Sequence, residues 1–184
     1  MESNFNFKNF SIVIPIFNEE EILEESTNAI FSLCKRMEID FEIIFSENGS
    51  TDKTKAIAEE LTNKHPEIKI ISNPEPNYGN ALKTGFKIAK NDLVISFDID
   101  YYSESFLREA LMLHSEYSSI TASKRLGSSE DGRRFIRRLA TNFFVILLKT
   151  LFGTKLSDTH GMKAIKKSEI EKYLPQVIST QDIF

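Results

Sequence analysis

Val94-Ile95-Ser96-Phe97-Asp98-Ile99-Asp100 is an apolar strand that runs into two carboxylates one residue apart. A run nearly continuous in apolar residues suits a central strand covered on both faces, the mark of a parallel α/β sheet. Open sheets of that kind bind ligands beyond the carboxyl ends of their strands, so Asp98 and Asp100 stand where function is expected. Two readings fit the pair. Asp is common in turns and at helix starts, and both side chains can simply cap the next helix. Alternatively they hold a hard divalent cation, Mg²⁺ or Mn²⁺, which prefers oxygen ligands. Two protein carboxylates would leave coordination positions open for a substrate's phosphates, those of a nucleoside diphosphate foremost.

Working outward from that strand, short β-rich runs alternate with longer helical patterns. The alternation predicts βαβ units and an α/β fold with a mainly parallel central sheet flanked by helices. Strands are expected at residues 10–15, 41–46, 68–72, 93–97, 118–123 and 161–165. Asn18 reads as the cap of a helix to about residue 37, with Glu19, Glu20 and Glu21 in the first turn, where the helix dipole favours anions. Asp52 opens a second helix with Ala56, Ile57, Ala58 and Leu61 pointing inward. A loop over residues 73–80 leads to a helix at 81–90, and Ser103 or Ser105 caps another to about residue 117. Residues 124–134, with Gly127, Ser128, Ser129, Asp131 and Gly132, have the composition of a mobile surface loop. A helix at 135–152 and a last helix opened by Ser168 complete the pattern.

The length of 184 residues with 41% hydrophobic content suits one domain, residues 10–184, behind a polar extension at 1–9. The net charge of −4 argues against a general nucleic-acid binder, which carries a basic excess. The lone Cys34 lies in a helical pattern among Ile30, Phe31 and Leu33, which suits a buried structural thiol in a reducing compartment. Residues 1–9 lack the apolar run of a signal peptide, so a cytoplasmic location is expected. The apolar run 143–152, interrupted by Lys149, falls well short of the roughly 20 residues a spanning helix needs, although its face suits contact with a bilayer. The chain stops at Gln181-Asp182-Ile183-Phe184 without a helix C-cap or polar tail, and truncation is expected.

Five motifs follow one another in order: Pro15-Ile16-Phe17-Asn18-Glu19, Glu47-Asn48-Gly49-Ser50-Thr51-Asp52, Asn77-Tyr78-Gly79, Asp98-Ile99-Asp100 and Asp158-Thr159-His160-Gly161-Met162-Lys163. Together they resemble a family 2 glycosyltransferase with the GT-A nucleotide-sugar fold, over essentially residues 10–184. Within that family the chain is most similar to the dolichyl- and polyprenyl-phosphate mannose or glucose synthases. The resemblance implies an inverting, metal-dependent transfer of a hexose from GDP- or UDP-sugar to a polyprenyl phosphate, with Mg²⁺ or Mn²⁺ as cofactor. It implies that Pro15, Phe17 and Glu19 surround the nucleoside, that Glu47 and Asn48 face the base, and that Asn77 and Gly79 complete the nucleotide-sugar site. It makes Asp98 and Asp100 the metal and diphosphate motif, Asp100 counting also as catalytic. At position 48 an amide replaces the family's second acid; Asn donates as well as accepts, and a turn before Gly49 explains it equally well. Tyr102 stands where some synthases carry a third metal ligand, and Met162 replaces the usual Phe of the acceptor loop.

The basic residues Lys124, Arg125, Arg133, Arg134, Arg137 and Arg138 oppose the acidic balance of the chain. They read either as a solvated helix face or as contacts to phosphate, and Arg137 and Arg138 adjoin the apolar run, a pairing that suits an anionic lipid head group. The resemblance implies an Arg or Lys after the fifth strand that touches donor or acceptor phosphate, with Lys124 the nearest match; Lys124, Arg137 and Arg138 are the candidate catalytic phosphate contacts, expected at the cytoplasmic face of a membrane. His160 is assigned no role. A lipid phosphate, with a second pKa near 6, needs no general base, whereas a sugar hydroxyl does. Asp182 is a poor match for the acid many family members carry after the acceptor loop, and that acid is expected beyond Phe184. Two alternatives stay open: transfer to a polysaccharide, glycolipid or protein hydroxyl, and nucleotide-sugar binding without turnover.

Overall fold

Asn9–Ile16, with seven of eight residues buried, forms β1, the strand around which the rest is arranged. In this computed structural model residues 9–122 and 161–177 are described. The elements run β1, α1 (Leu23–Lys35), β2 (Asp40–Asn48), α2 (Thr54–Lys64), β3 (Ile68–Asn73), α3 (Tyr78–Ile88), β4 (Leu93–Ser96), α4 (Glu104–Leu113), β5 (Ser119–Thr121), β6 (Lys163–Lys166) and α5 (Lys167–Tyr173), then a 3-10 turn (Leu174–Gln176). The sheet order is β3-β2-β1-β4-β6-β5. Strands β1 to β4 pair in parallel, and β6 pairs antiparallel with β4, so the expected α/β sheet is mainly parallel with an antiparallel side. The chain divides into two compact units, Met1–Ile120 with Met162–Ile183 and Thr121–Gly161 with Phe184. The site described below lies in the first.

Both faces of the sheet are covered because both alternating sets of strand residues are apolar. Val13, Ile44 and Val94 share one face and pack with Leu82 and Phe86 of α3 and Ile170 of α5. The other set, Ile12, Ile14, Ile43, Phe45 and Ile95, is fully buried too. On that side Phe31 of α1 meets Phe41 edge-on at 5.4 Å, and Phe106 of α4 lies 6.4 Å from Phe97. Gly85 lets α3 close on β1: a Cβ there would lie 2.3 Å from Val13 Cγ1.

Several element ends depart from the sequence expectations. Asn18 does not cap α1, which starts at Leu23 with Glu24 and Glu25 in its first turn. Asn18 instead turns the chain with a φ of 55°, a conformation Asn tolerates better than most residues. Strand β2 runs two residues past 46, so Glu47 and Asn48 are strand residues paired with Ser72 and Asn73 of β3. Asp52 accepts the Thr54 N–H at 2.9 Å and so opens α2, but Ala56 faces solvent while Ala58 and Leu61 are buried. Helix α3 starts at Tyr78 rather than Ala81, because Asn77 caps it by accepting the Asn80 N–H. Helix α4 ends at Leu113, earlier than expected. Ser168 lies inside α5, which follows β6 directly with no loop in which to seat a capping side chain.

Candidate functional site

The crevice that holds the site arises from a difference in strand length. The β1–β4 ladder ends at Val13 and Ser96, with one further bond from the Phe97 N–H to the Val13 carbonyl at 3.1 Å. Pro15 faces the same side two residues on, where it has no N–H to give. From there β1 continues along β2 to Ile16 while the chain after β4 turns away. The strand order also reverses here: the chain builds outward from β1 through β2 to β3, then returns to set β4 on the other side of β1. Ligands bind in open α/β sheets at such a switch point. At the end of β1 Pro15 is buried and Phe17, just past the strand, is 39% exposed.

The loops after β1 and β2 are stitched to each other. Asn18 N–H donates to Ser50 Oγ at 3.1 Å, Glu19 N–H to Thr54 Oγ1 at 2.7 Å and Glu20 N–H to Asp52 Oδ2 at 3.2 Å. In return Thr51 N–H donates to Asn18 Oδ1 at 2.9 Å and Lys53 N–H to Glu20 Oε2 at 3.0 Å. Glu47 and Asn48 take part in the same construction. Glu47, 2% exposed, accepts the Ser50 N–H at 2.6 Å, which holds the turn at Gly49 with its φ of 74°. Asn48, 5% exposed, accepts the Asn77 N–H at 2.7 Å and so ties the start of α3 to the end of β2. Asn73 accepts from Asn80 and Thr84, both at 3.2 Å, which fixes the first turns of α3 to β3. Gly79 is buried one residue into the helix.

Across the crevice, Asp98 and Tyr101 exchange two backbone hydrogen bonds of 3.1 and 3.2 Å, a tight turn with Ile99 and Asp100 at its corner. Ile99 is 2% exposed and anchors the turn, so the carboxylates on either side of it face away from the core. Neither caps α4: Ser103 does, accepting the Phe106 N–H at 3.3 Å. Of the two readings of the pair, helix capping is therefore removed. The Tyr102 ring packs 6.5 Å from Phe97.

The mouth of the crevice is strongly negative. Burial raises the Glu19 carboxyl above its ordinary value, and the charges of Asp100, Asp52 and Asp98 raise it further. Residues from three loops thus direct like charge at one another, a situation that a bound cation relieves. Among the described residues no group of three or more His, Cys, Asp and Glu is arranged to enclose a metal ion. The donor set that fits is the open one, two hard carboxylate oxygens with positions left for phosphate. Tyr78, which the sequence reading passed over, donates its hydroxyl to Asp98 Oδ1 at 2.9 Å. Shielding of that hydroxyl from water, then the charge of Asp98, push its pKa up. The available signal for it was its place between Asn77 and Gly79, at the first position of a capped helix.

Lys124, Arg137 and Arg138 lie outside the described residues, as do Arg125, Arg133, Arg134, Asp158, His160 and Asp182, the loop at 124–134 and the helix at 135–152. Met162 is buried, as expected for an apolar substitute. Among the described residues no helix is long and apolar enough to cross a membrane. Cys34 is fully buried and burial pushes its thiol up to about 12, which rules it out as a nucleophile.

Three comparisons bear on this arrangement. The undecaprenyl-phosphate 4-deoxy-4-formamido-L-arabinose transferase of Pseudomonas fluorescens Pf-5 is 34% identical over 169 residues, 89% of this chain and 49% of the relative. Its counterpart in Pectobacterium carotovorum is 36% identical over 156 residues, 83% of this chain and 47% of the relative. The chain thus spans about half the length of the curated relatives it matches. Among solved structures, a mannosyltransferase from Pyrobaculum calidifontis in complex with GDP-Man and Mn²⁺ superposes with a TM-score of 0.62 at 18% identity, covering 92% of this chain and 47% of that one. The glucosyl-3-phosphoglycerate synthase of Mycobacterium tuberculosis, with Mn²⁺ and UDP-Glc, gives 0.64 at 22% identity, covering 88% and 57%. These likenesses fix the fold as GT-A. The family model for glycosyl transferase family 2 matches residues 11–174, and the chain belongs to that family.

Proposed function

We propose that this chain, with residues 10–184 as one glycosyltransferase domain, is the donor-binding and catalytic part of an inverting enzyme that moves a sugar from a nucleoside diphosphate to a polyprenyl phosphate. The observation that carries the reading is that Asp98 and Asp100 flank a buried Ile99 at the switch point of the sheet, with helix capping left to Ser103. The names of relatives such as those from Pseudomonas fluorescens and Pectobacterium carotovorum, undecaprenyl-phosphate transferases at 34% and 36% identity, support the lipid phosphate as acceptor. A hexose is the expectation from the sequence, and the relatives carry a modified arabinose in their names, so the donor is taken as a nucleotide-activated glycosyl unit.

Asp98 and Asp100 would hold Mg²⁺ or Mn²⁺ beside the donor diphosphate. When bound there, the ion supplies Lewis-acid stabilisation of the charge that develops on the leaving group. Pro15, Phe17 and Glu19 border the space for the nucleoside. Glu47, Asn48, Asn77 and Gly79 shape its floor by fixing the turn at Gly49 and the start of α3. Lys124, Arg137 and Arg138 are proposed to hold the acceptor phosphate and orient it for attack. That phosphate, already largely anionic at neutral pH, displaces the nucleoside diphosphate from the opposite face of the anomeric carbon and inverts it, with no general base required. An acceptor of this kind implies work at the cytoplasmic face of a membrane.

The test is a panel of UDP- and GDP-sugars, including hexoses and aminoarabinose derivatives, incubated with Mn²⁺ or Mg²⁺ and a short polyprenyl phosphate. Mass spectrometry should find a polyprenyl-phosphate glycoside of inverted configuration. Transfer to a hydroxyl acceptor with none to the lipid phosphate would overturn the acceptor assignment. Donor binding without transfer or hydrolysis would overturn the assignment of turnover.

A further inference from the structure

Asp98 is clamped at its backbone by the paired bonds to Tyr101, but its carboxylate still turns about two side-chain torsions. Among the described residues the side chain that donates to it is Tyr78, at 2.9 Å to Oδ1, which leaves Oδ2 free to face a ligand. Tyr78 is itself well held. It is the first residue of α3, behind Asn77, whose side chain accepts the Asn80 N–H at 2.8 Å and whose N–H is taken at 2.7 Å by the buried Asn48. The end of β2, the start of α3 and the turn after β4 are thereby linked through one chain of hydrogen bonds. A phenol is a neutral donor at physiological pH, so it satisfies one carboxylate oxygen without neutralising the charge a cation needs.

We propose that Tyr78 is a positioning residue for the divalent cation: its hydroxyl sets the plane of the Asp98 carboxylate and so the cation affinity of the Asp98–Asp100 pair. The inference rests on the reading of that pair as the metal site. Hydrogen bonds behind a ligating group typically change metal affinity by 10–100-fold, and a half-exposed donor to one of two ligands belongs at the lower end. Tyr78→Phe keeps the ring and removes only the hydroxyl; Tyr78→Leu is the second variant.

The experiment titrates the whole chain with Mn²⁺ alone, following the electron paramagnetic resonance signal of the free aquo ion, beside thermal unfolding of each variant. Tyr78→Phe should weaken Mn²⁺ binding roughly tenfold with its unfolding midpoint unchanged, and Tyr78→Leu should match it. Asp98→Ala should abolish binding. If Asp98→Ala abolishes binding and Tyr78→Phe stays within about twofold of wild type, the role of Tyr78 is wrong and the metal site stands. If Tyr78→Phe loses affinity only in step with a lower midpoint, and regains it on cooling, its role is structural and the inference is overturned. If Asp98→Ala binds Mn²⁺ like wild type, the underlying site assignment fails first.

Discussion

One hydroxyl separates the two meanings of Asp98-Ile99-Asp100. Because Ser103 Oγ accepts the Phe106 N–H, the aspartates have no helix to cap, and their charge is directed into the crevice. The separation is measurable. Ser103→Ala should lower stability to denaturant by about 1 kcal/mol, the usual worth of an N-cap, and leave cation binding untouched. A loss of Mn²⁺ binding in that variant would put Ser103 in the site instead. At this scale the sequence is legible where a residue type has one job, as at the cap Ser103 and the buried Cys34, whereas the cap at Asn77 was expected as part of a loop. It was read less well where a polar side chain is spent on a distant partner. Asn18 looks like a cap because Asn often is one, yet its carbonyl oxygen accepts from Thr51, 33 residues away, a contact no local pattern reveals. Glu47 and Asn48, expected to face the base, each have one oxygen bonded to a backbone N–H, that of the nearby Ser50 and of Asn77 respectively, and they stay proposed contacts through the polar atoms that remain.

Elements meet in this fold by close approach at a few positions. Helix α3 lies on β1 at Gly85, where a Cβ would meet Val13 Cγ1 at 2.3 Å, and Val13 is a fully buried β-branched residue with nowhere to move. Gly85→Ala should therefore cost about 1–3 kcal/mol of stability, read as a shift in denaturant midpoint, where an exposed helical glycine would gain from the same change. At the amino edge of the sheet β1, β2 and β3 are tied by Glu42. It accepts from Ser11 at 2.7 Å, from the Lys90 N–H at 2.7 Å and from Lys69. Burial alone would raise this carboxyl; the hydrogen bonds from Lys69, Lys90 and Ser11 more than offset that and hold it below 4.5. A lowered folded value contributes stability above the unfolded pKa, and that contribution is lost as the pH falls through the folded one. Glu42→Gln should cost about 2 kcal/mol at pH 7 and flatten the decline in stability below about pH 4.5, measured by denaturant titration across pH. An unchanged acid profile would assign the decline to other carboxylates. The strands were legible because their apolar runs are unambiguous; Glu42 inside one of them signalled nothing until its three donors were assembled.

At the scale of the molecule, the parallel sheet follows from alternating βαβ patterns, whereas the crevice does not. It depends on where the β1–β4 ladder stops relative to the β1–β2 ladder, a matter of register between β1 and β4, whose paired residues lie 83 apart in sequence, that sequence patterning leaves open. The buried Cys34 offers a probe of the whole framework. Its thiol, pushed up to about 12 by burial, should react with a disulfide reagent only through opening of the core. The reaction should therefore accelerate with urea in parallel with global unfolding; rapid labelling without denaturant would mean that α1 opens independently of the sheet.

The Asp98–Asp100 pair is proposed to join a divalent cation to a nucleoside diphosphate at the switch point, and calorimetric titration of UDP and GDP into the whole chain, with and without Mn²⁺ or Mg²⁺, reads that coupling. Nucleotide binding should require the cation and should weaken at least about 100-fold in both Asp98→Ala and Asp100→Ala, the scale expected when a charged ligand to a shared ion is lost. Equal nucleotide affinity with and without cation, or wild-type affinity in both variants, would contradict it.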